Sequence, residues 1–107
     1  MPGEVKPVAM AQIEAARARL QGLSLISPIV TCDAAPAGKT VRLKLENLQP
    51  IGSFKIRPIG NAVLSRAHAD LGRGIYTTST GNSALGVAWM ARSLGIAATA
   101  VVPVKKR

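Results

Sequence analysis

The segment LKLENLQPIGSFKIRPIGNAV, residues 43–63, gives the clearest indication of the fold of this 107-residue chain. An alternating apolar and basic segment predicts a strand, a Gln-Pro turn follows it, and the last part is helix-like. Lys55 stands just after a Gly-Ser turn, behind the strand and ahead of the helix. An amine at such a junction can act as a nucleophile, although most lysines are solvated surface charges. The spacing alone leaves both interpretations of Lys55 open.

Hydrophobic periodicity predicts the elements on either side of Lys55. Apolar and basic residues alternate over residues 41–46, which indicates a half-buried strand. Apolar residues recur at helical spacing over residues 53–66, so a helix begins close to Lys55. Pro58 is tolerated in a first turn but disfavours a helical conformation of the preceding Arg57. Two preferences therefore compete at the start of this helix.

The C-terminal half predicts a parallel βαβ unit. Residues 75–78 form a short strand, residues 82–94 a helix that Gly95 ends, and residues 97–102 a charge-free strand. A charge-free strand is typical of a parallel sheet covered on both faces. The residues of this helix expected to face the core are Leu85, Ala88, Trp89 and Leu94.

A further helix is predicted near the N-terminus. Residues 1–8 contain two prolines and a glycine and are expected to form a loose lead-in. Residues 9–23 carry apolar side chains at helical spacing. The residues on that apolar face are Met10, Ile13, Ala16, Leu20 and Leu23. Ser27-Pro28-Ile29 is interpreted as a plain turn, and residues 34–40 as a loop.

Composition limits the classes of function. The formal charge is +9, from 14 Lys and Arg against five Asp and Glu, and such a balance raises the possibility of a nucleic-acid partner. The basic residues are scattered singly except at residues 105–107, and no nucleic-acid recognition pattern is present, so we expect no such partner. Cys32 is the one cysteine, which excludes an internal disulfide or Cys-cluster metal site and favours a cytoplasmic location.

The sequence indicates neither a secreted nor a membrane protein. The first twenty residues carry two prolines and two glutamates where a signal peptide has an apolar core. Residues 84–104 are largely apolar, but Arg92 and Gly95 interrupt them, which predicts a helix, a break and a strand. His68, the one histidine, is expected to be solvated near a helix end, and no metal site is predicted.

Residues 79–82, Ser-Thr-Gly-Asn, stand at a predicted junction between a strand and a helix. Ligands of open α/β sheets collect at the carboxyl ends of strands, and free N–H groups at a helix N-terminus favour an anion such as a carboxylate. Gly81 permits a close backbone approach. The same residues also suit an ordinary N-capped helix, and both interpretations stay open on these grounds.

Two motifs together carry a family resemblance. LENLQPIGSFKIR (residues 45–57) and STGNSALG (residues 79–86) resemble the pyridoxal-phosphate enzymes of the tryptophan synthase β-like fold, and most of all the threonine/serine dehydratase branch. The resemblance spans about residues 10–103 and implies an α/β fold, with an N-terminal helix and the parallel βαβ of the small domain. Because the resembled enzymes are much longer, residues 1–107 are expected to be their N-terminal portion, as a truncated product, one piece of a split enzyme or a fragment.

The resemblance implies roles for individual residues. Lys55 would be the catalytic lysine that forms the Schiff base with pyridoxal 5'-phosphate, and Asn82 would hydrogen-bond the ring hydroxyl of this cofactor. Phe54, beside the lysine, would contact the cofactor or simply pack. The residues implied to bind the substrate carboxylate are Ser79, Thr80 and Gly81. For Arg57 a structural ion pair and a contact on the phosphate side both remain open.

Several positions depart from the pattern of the dehydratases. Ser83 and Leu85 stand where that branch usually has His and Gln, and they drift towards the cysteine-synthase branch. Pro58-Ile59 replaces a usual Gly-Ala pair. The resemblance implies a dehydratase that acts on threonine- or serine-type hydroxy amino acids by α,β-elimination and forms a homo-oligomer at full length. A cysteine-synthase-like β-replacement enzyme and a truncated, non-catalytic chain remain alternatives, and residues 1–107 alone are expected to show weak or no activity.

Overall fold

The computed structural model of this chain describes residues 3–104, so the basic cluster at residues 105–107 lies outside the described residues. Its helices are α1 (Met10–Leu20), α2 (Ile56–Leu64), α3 (His68–Leu71) and α4 (Asn82–Leu94). Its strands are β1 (Ile29–Thr31), β2 (Arg42–Lys44), β3 (Ile75–Thr78) and β4 (Ala98–Val101). A short 3-10 turn, Glu46–Leu48, lies between β2 and α2.

A parallel βαβ unit forms the C-terminal half. Strands β3 and β4 pair in parallel, from Ile75 opposite Ala98 to Thr78 opposite Val101, and α4 connects them. Helix α4 ends at Gly95, whose φ of 67° is a left-handed conformation that glycine adopts without steric cost. The α/β fold predicted from the sequence is thereby confirmed.

A second pair of strands precedes the segment that carries Lys55. Strands β1 and β2 are antiparallel, with Ile29 opposite Lys44 and Thr31 opposite Arg42. The interpretation of residues 27–29 as a plain turn was therefore wrong at Ile29, where β1 begins. A three-residue strand is too short to show alternation, and its pairing partner lies more than ten residues further along the chain.

Helix α2 packs against both α1 and α4, and glycines lie where the helices meet. A Cβ atom on Gly60 would lie 2.5 Å from Leu23 Cδ2 and 3.1 Å from Leu20 Cδ2. A Cβ atom on Gly86 would lie 2.8 Å from Ile59 Cδ1. The close approach of α2 to its neighbours therefore depends on small residues at these two positions. The buried cluster beside them consists of Val63, Leu71 and Met90.

The apolar face of α1 is mostly exposed, contrary to the prediction. Leu20 is the one buried residue of α1, whereas Met10 is 67% and Ile13 51% exposed. Because Leu20 and Leu23 are the residues that reach Gly60 of α2, the packing of this helix is concentrated at its C-terminal end.

Helix α4 buries a different face from the predicted one. Its buried residues are Gly86, Val87, Met90 and Ala91. Leu85, Ala88 and Trp89 are exposed, and Leu94 is partly buried against the core cluster. Helix α4 is apolar on more than one side, so hydrophobic periodicity alone does not identify its buried face. The face that is buried carries Gly86, which has no side chain and so allows α2 to come close.

Strands β2 and β4 are exposed along their whole length, although a half-buried and a fully covered strand were predicted. Among the described residues each sheet has only two strands, so one edge of every strand is unpaired. Burial on both faces requires more neighbours than residues 3–104 supply.

Candidate active site

Lys55 lies at the N-terminus of α2, as expected. It is the residue immediately before the helix, it has an αR backbone, and it is partly buried. Its backbone N–H donates to Ser53 Oγ (3.4 Å), and its Nζ lies 5.3 Å from the centre of the Phe54 ring. At this distance the ring face attracts an ammonium group. Phe54 itself is 54% exposed, so its contact with Lys55 is at the surface.

A cavity of about 560 Å³ opens beside Lys55. Pocket volumes of about 300–1,000 Å³ are usual for small-molecule sites. Apolar side chains of α2, α3, β3 and α4 form most of its wall, and Lys55, Arg66, Asp70, Thr77 and Ser83 contribute polar groups. The apolar and aromatic residues of the wall are Pro58, Ile59, Ala62, Val63, Leu71, Ile75, Tyr76 and Val87. Lys55 is therefore part of the wall of a concave, largely apolar space.

The Ser-Thr-Gly-Asn loop lies where β3 ends and α4 begins. Ser79 is partly buried, whereas Thr80, Gly81 and Asn82 are exposed. The Gly81 N–H donates to Ser79 Oγ (3.2 Å), and no side chain caps α4. Helix α4 is therefore not an ordinary helix whose N-terminus is capped by a side chain. Uncapped N–H groups at the positive end of a helix favour an anion.

The structure brings some of the predicted residues together and leaves others apart. Lys55 lines the cavity, and so does Ser83, which follows Asn82 in the first turn of α4. Phe54 and the four loop residues 79–82 do not line it. In the sequence, Ser83 was noted only because it stands where the dehydratases usually have His. Its place one residue after the loop, at the start of a helix, is the signal that could have identified it as a wall residue.

Arg57 makes a structural ion pair, which is one of the two roles that the sequence left open. Its Nε donates to Glu46 Oε1, and its Nη2 donates to Glu46 Oε2 (3.2 Å) and to the Leu25 carbonyl oxygen (2.9 Å). Nη1 donates to Ser24 Oγ (3.3 Å). Helix α2 begins at Ile56 and Arg57 is helical, so the disfavoured conformation before a proline is adopted here. Because the guanidinium group of Arg57 contacts both carboxylate oxygens of Glu46, this fork-shaped contact fixes the relative orientation of the two side chains as well as attracting them.

Buried Gln49 completes this network. It is 3% exposed, its Nε2 donates to Glu46 Oε2 (2.8 Å) and to the Leu25 carbonyl oxygen (2.8 Å), and its Oε1 accepts from the Leu25 N–H (2.8 Å). The hydrogen bonds from Arg57 and then from Gln49 lower the pKa of Glu46 from 4.5 to about 2, against the opposing effect of burial. The hydrogen bond to Glu46 raises the pKa of Arg57.

Residues 3–104 contain no group of three or more His, Cys, Asp or Glu side chains that could hold a metal ion. No helix among them is both long and apolar enough to cross a membrane.

Comparison with known proteins gives consistent matches. A sequence model of the family described as "Pyridoxal-phosphate dependent enzyme" matches residues 22–107. The chain is 34% identical over 101 residues to the L-threonine dehydratase biosynthetic IlvA of Mycobacterium leprae, covering 92% of this chain and 24% of that protein. It is 40% identical over 91 residues to the human protein named serine dehydratase-like, covering 83% of this chain and 27% of that protein.

Among solved structures, maize serine racemase matches with a TM-score of 0.84 at 31% identity. The match covers 92% of this chain and 31% of the maize chain. The chain thus spans between 24% and 31% of the length of these three proteins.

Proposed function

This chain belongs to the pyridoxal-phosphate dependent enzyme family, and from that premise we propose that it is the N-terminal part of a threonine/serine dehydratase in which Lys55 binds the cofactor. The observation that carries the proposal is the position of Lys55, at the N-terminus of α2 and in the wall of a cavity that Ser83 and Val87 of α4 also line. Many different reactions occur on this fold and in this family, so the reaction depends on the residues of the site.

The residues around the cavity fit pyridoxal phosphate. An aldehyde requires a primary amine, and Lys55 supplies one beside the cavity. The flat pyridine ring requires apolar walls, and Ile59, Val63 and Val87 provide them. The space of about 560 Å³ is sufficient for a small aromatic ligand.

Pyridoxal phosphate, when bound, supplies an electron sink that stabilises negative charge at the α-carbon of an amino acid. In the proposed reaction the amine of Lys55 first holds the cofactor and then, once freed, removes the α-proton of the substrate. Lys55 is partly buried and lines the cavity in which the substrate would lie. The β-hydroxyl group would then take up a proton and leave as water, and hydrolysis of the resulting enamine by another water would give a keto acid and ammonia.

The loop at the start of α4 is proposed to orient the substrate. The backbone N–H groups of its uncapped N-terminus and the hydroxyl groups of Ser79 and Thr80 would bind the substrate carboxylate. Gly81 leaves this approach open, since no atom lies within 4 Å of the position of a Cβ there. Asn82 is exposed in the first turn of α4 and would bind the ring hydroxyl of the cofactor.

Two other enzyme reactions compete with elimination. Maize serine racemase is the specific similarity that favours racemisation, which also begins with removal of the α-proton. Ser83 and Leu85 keep a cysteine-synthase-like β-replacement as another candidate. The names of the relatives favour the dehydratase, which we therefore place first. The proposal also includes a full-length enzyme that is a homo-oligomer in the cytoplasm.

The test combines cofactor binding with identification of products. Purified chain is mixed with pyridoxal phosphate, and the visible absorbance of the protein-bound cofactor is compared among wild type, Lys55→Ala and the exposed-loop control Lys39→Ala. We expect the band to be lost only in Lys55→Ala. A band that is absent in wild type, or present in Lys55→Ala, would contradict the assignment of Lys55.

Products are measured separately with L-serine and L-threonine. Keto acid and ammonia support a dehydratase, D-serine supports a racemase, and a product that retains an added thiol supports β-replacement. We expect residues 1–107 alone to give weak or no turnover. The same assays are therefore also run with residues 1–107 exchanged into a full-length relative.

A further inference from the structure

The network around Arg57 joins three separate parts of the chain. Arg57 contacts the segment Ser24–Leu25 and the 3-10 turn at Glu46, and Gln49 contacts the same two places. In the sequence, Glu46 is 11 residues from Arg57, and Ser24 and Leu25 are more than 30 residues from it. The beginning of α2 is thus held to parts of the chain outside that helix.

The position of Arg57 relative to Lys55 gives the network a consequence for the site. The two residues are two positions apart at the start of one helix, and a helix turns about 100° per residue. Their side chains therefore point to nearly opposite sides. Arg57 reaches Glu46, whereas Lys55 lines the cavity.

Few hydrogen bonds hold the chain between the network and Lys55. Gly52 has a φ of 75°, its N–H donates to the Gln49 carbonyl oxygen (2.7 Å), and the Lys55 N–H makes a long contact with Ser53 Oγ (3.4 Å). Just beyond, the Arg57 N–H donates to the Phe54 carbonyl oxygen (2.9 Å), and the side chain of Ile56 is fully buried. The turn is therefore anchored at Gln49 on one side and at Ile56 and Arg57 on the other.

We propose that Arg57, held by Glu46 and buried Gln49, is a positioning residue that fixes the backbone at Lys55 and so aims the Lys55 amine into its cavity. The inference rests on the proposed role of Lys55 and extends it to residues that touch neither substrate nor cofactor. An amine held in one direction reacts faster with an aldehyde than an amine that samples many directions, and misplacement by about 1 Å can cost about a hundredfold in rate.

The test uses Arg57→Lys, which keeps the charge and loses the fork-shaped contact. Glu46→Gln is the second variant, because it keeps the shape of the partner. Arg92→Lys is the matched control, since Arg92 is exposed in the last turn of α4. All measurements are made on protein that far-ultraviolet circular dichroism shows to be folded, at a temperature well below its melting midpoint.

The first measurement is amide hydrogen exchange over residues 52–59. We expect exchange there to become at least about fivefold faster in Arg57→Lys and Glu46→Gln, and to stay unchanged in Arg92→Lys. The second measurement is the rate at which pyridoxal phosphate, trapped with borohydride, labels Lys55 in the folded protein. We expect that rate to fall about tenfold to a hundredfold in the two network variants and to stay unchanged in the control.

The two proposals fail in different ways. If wild type is not labelled at Lys55, the proposed function is contradicted, while hydrogen exchange still tests whether the network fixes the turn. If wild type is labelled, and the folded network variants are labelled at the wild-type rate, the positioning role is wrong. A purely structural role would lower the melting temperature and leave the labelling rate of folded protein unchanged. Should Arg57→Lys not fold, Glu46→Gln decides by the same two measurements.

Discussion

The ion pair between Glu46 and Arg57 makes stability depend on pH in a predictable direction. The pKa of Glu46 is lowered from 4.5 to about 2 in the folded chain. A carboxyl group with a lowered pKa contributes stability that is fully present above its unfolded pKa and is lost as the pH falls towards its folded pKa. The window for Glu46 therefore lies between about pH 4.5 and pH 2.

The magnitude follows from the size of the shift. A fall of about 2.5 pKa units, from 4.5 to about 2, corresponds to at most about 3.4 kcal/mol at 1.36 kcal/mol per unit. The side chains of Arg57 and Glu46 are 32% and 18% exposed, so water screens part of this interaction. We expect about 1–2 kcal/mol to remain.

The assay is urea denaturation of wild type and Glu46→Gln between pH 7 and pH 2, with the exposed Glu14→Gln as the control. At pH 7 we expect the free energy of unfolding of Glu46→Gln to be lower than that of wild type by about 1–2 kcal/mol. The difference should shrink below pH 4.5 and approach zero near pH 2. A difference that stays constant over this range would contradict a role for the charge of Glu46, because an uncharged packing effect would not follow its titration.

Two more stability changes follow from packing. Met90→Ala should lower the free energy of unfolding by about 2–5 kcal/mol, because Met90 is 1% exposed. Met10→Ala, at a 67% exposed position, should change it by less than about 0.5 kcal/mol. Thermal denaturation of the two variants measures both effects. Gly60→Val should destabilise the folded chain by about 1–3 kcal/mol through overpacking against Leu20. Ala62→Val, at an exposed position of α2, should not destabilise it. Equal urea midpoints for the two variants would contradict the packing described at Gly60.

Local patterns in the sequence were sufficient to predict much of the C-terminal half. Strand β3 and helix α4 have the predicted bounds, because a β-prone run, a Gly-Asn turn and a helix ended by Gly95 are all signalled by neighbouring residues. The position of Lys55 before α2 follows from the same kind of signal.

Features that depend on distant residues could not be predicted in this way. Strand β1 needs β2 as its partner, and three residues after a proline give no period of their own. The buried face of α4 depends on where α2 approaches Gly86, although Leu85 and Trp89 are the more hydrophobic choice.

The ion pair of Arg57 also depends on distant residues. Its partner Glu46 lies 11 residues away, and the carbonyl group of Leu25 lies 32 residues away. Nothing in the local sequence distinguishes this arginine from one that binds a phosphate. The turn between Gln49 and Lys55 is what brings the two ends of the network together.

We propose that one amine, that of Lys55, binds the cofactor. The experiment adds pyridoxal phosphate, reduces with borohydride, digests the protein and locates the modified lysine by mass spectrometry. We expect the peptide containing Lys55 to carry nearly all of the label at a cofactor concentration equal to that of the protein. Label spread evenly over exposed lysines such as Lys39 and Lys44, with no preference for Lys55, would contradict the account.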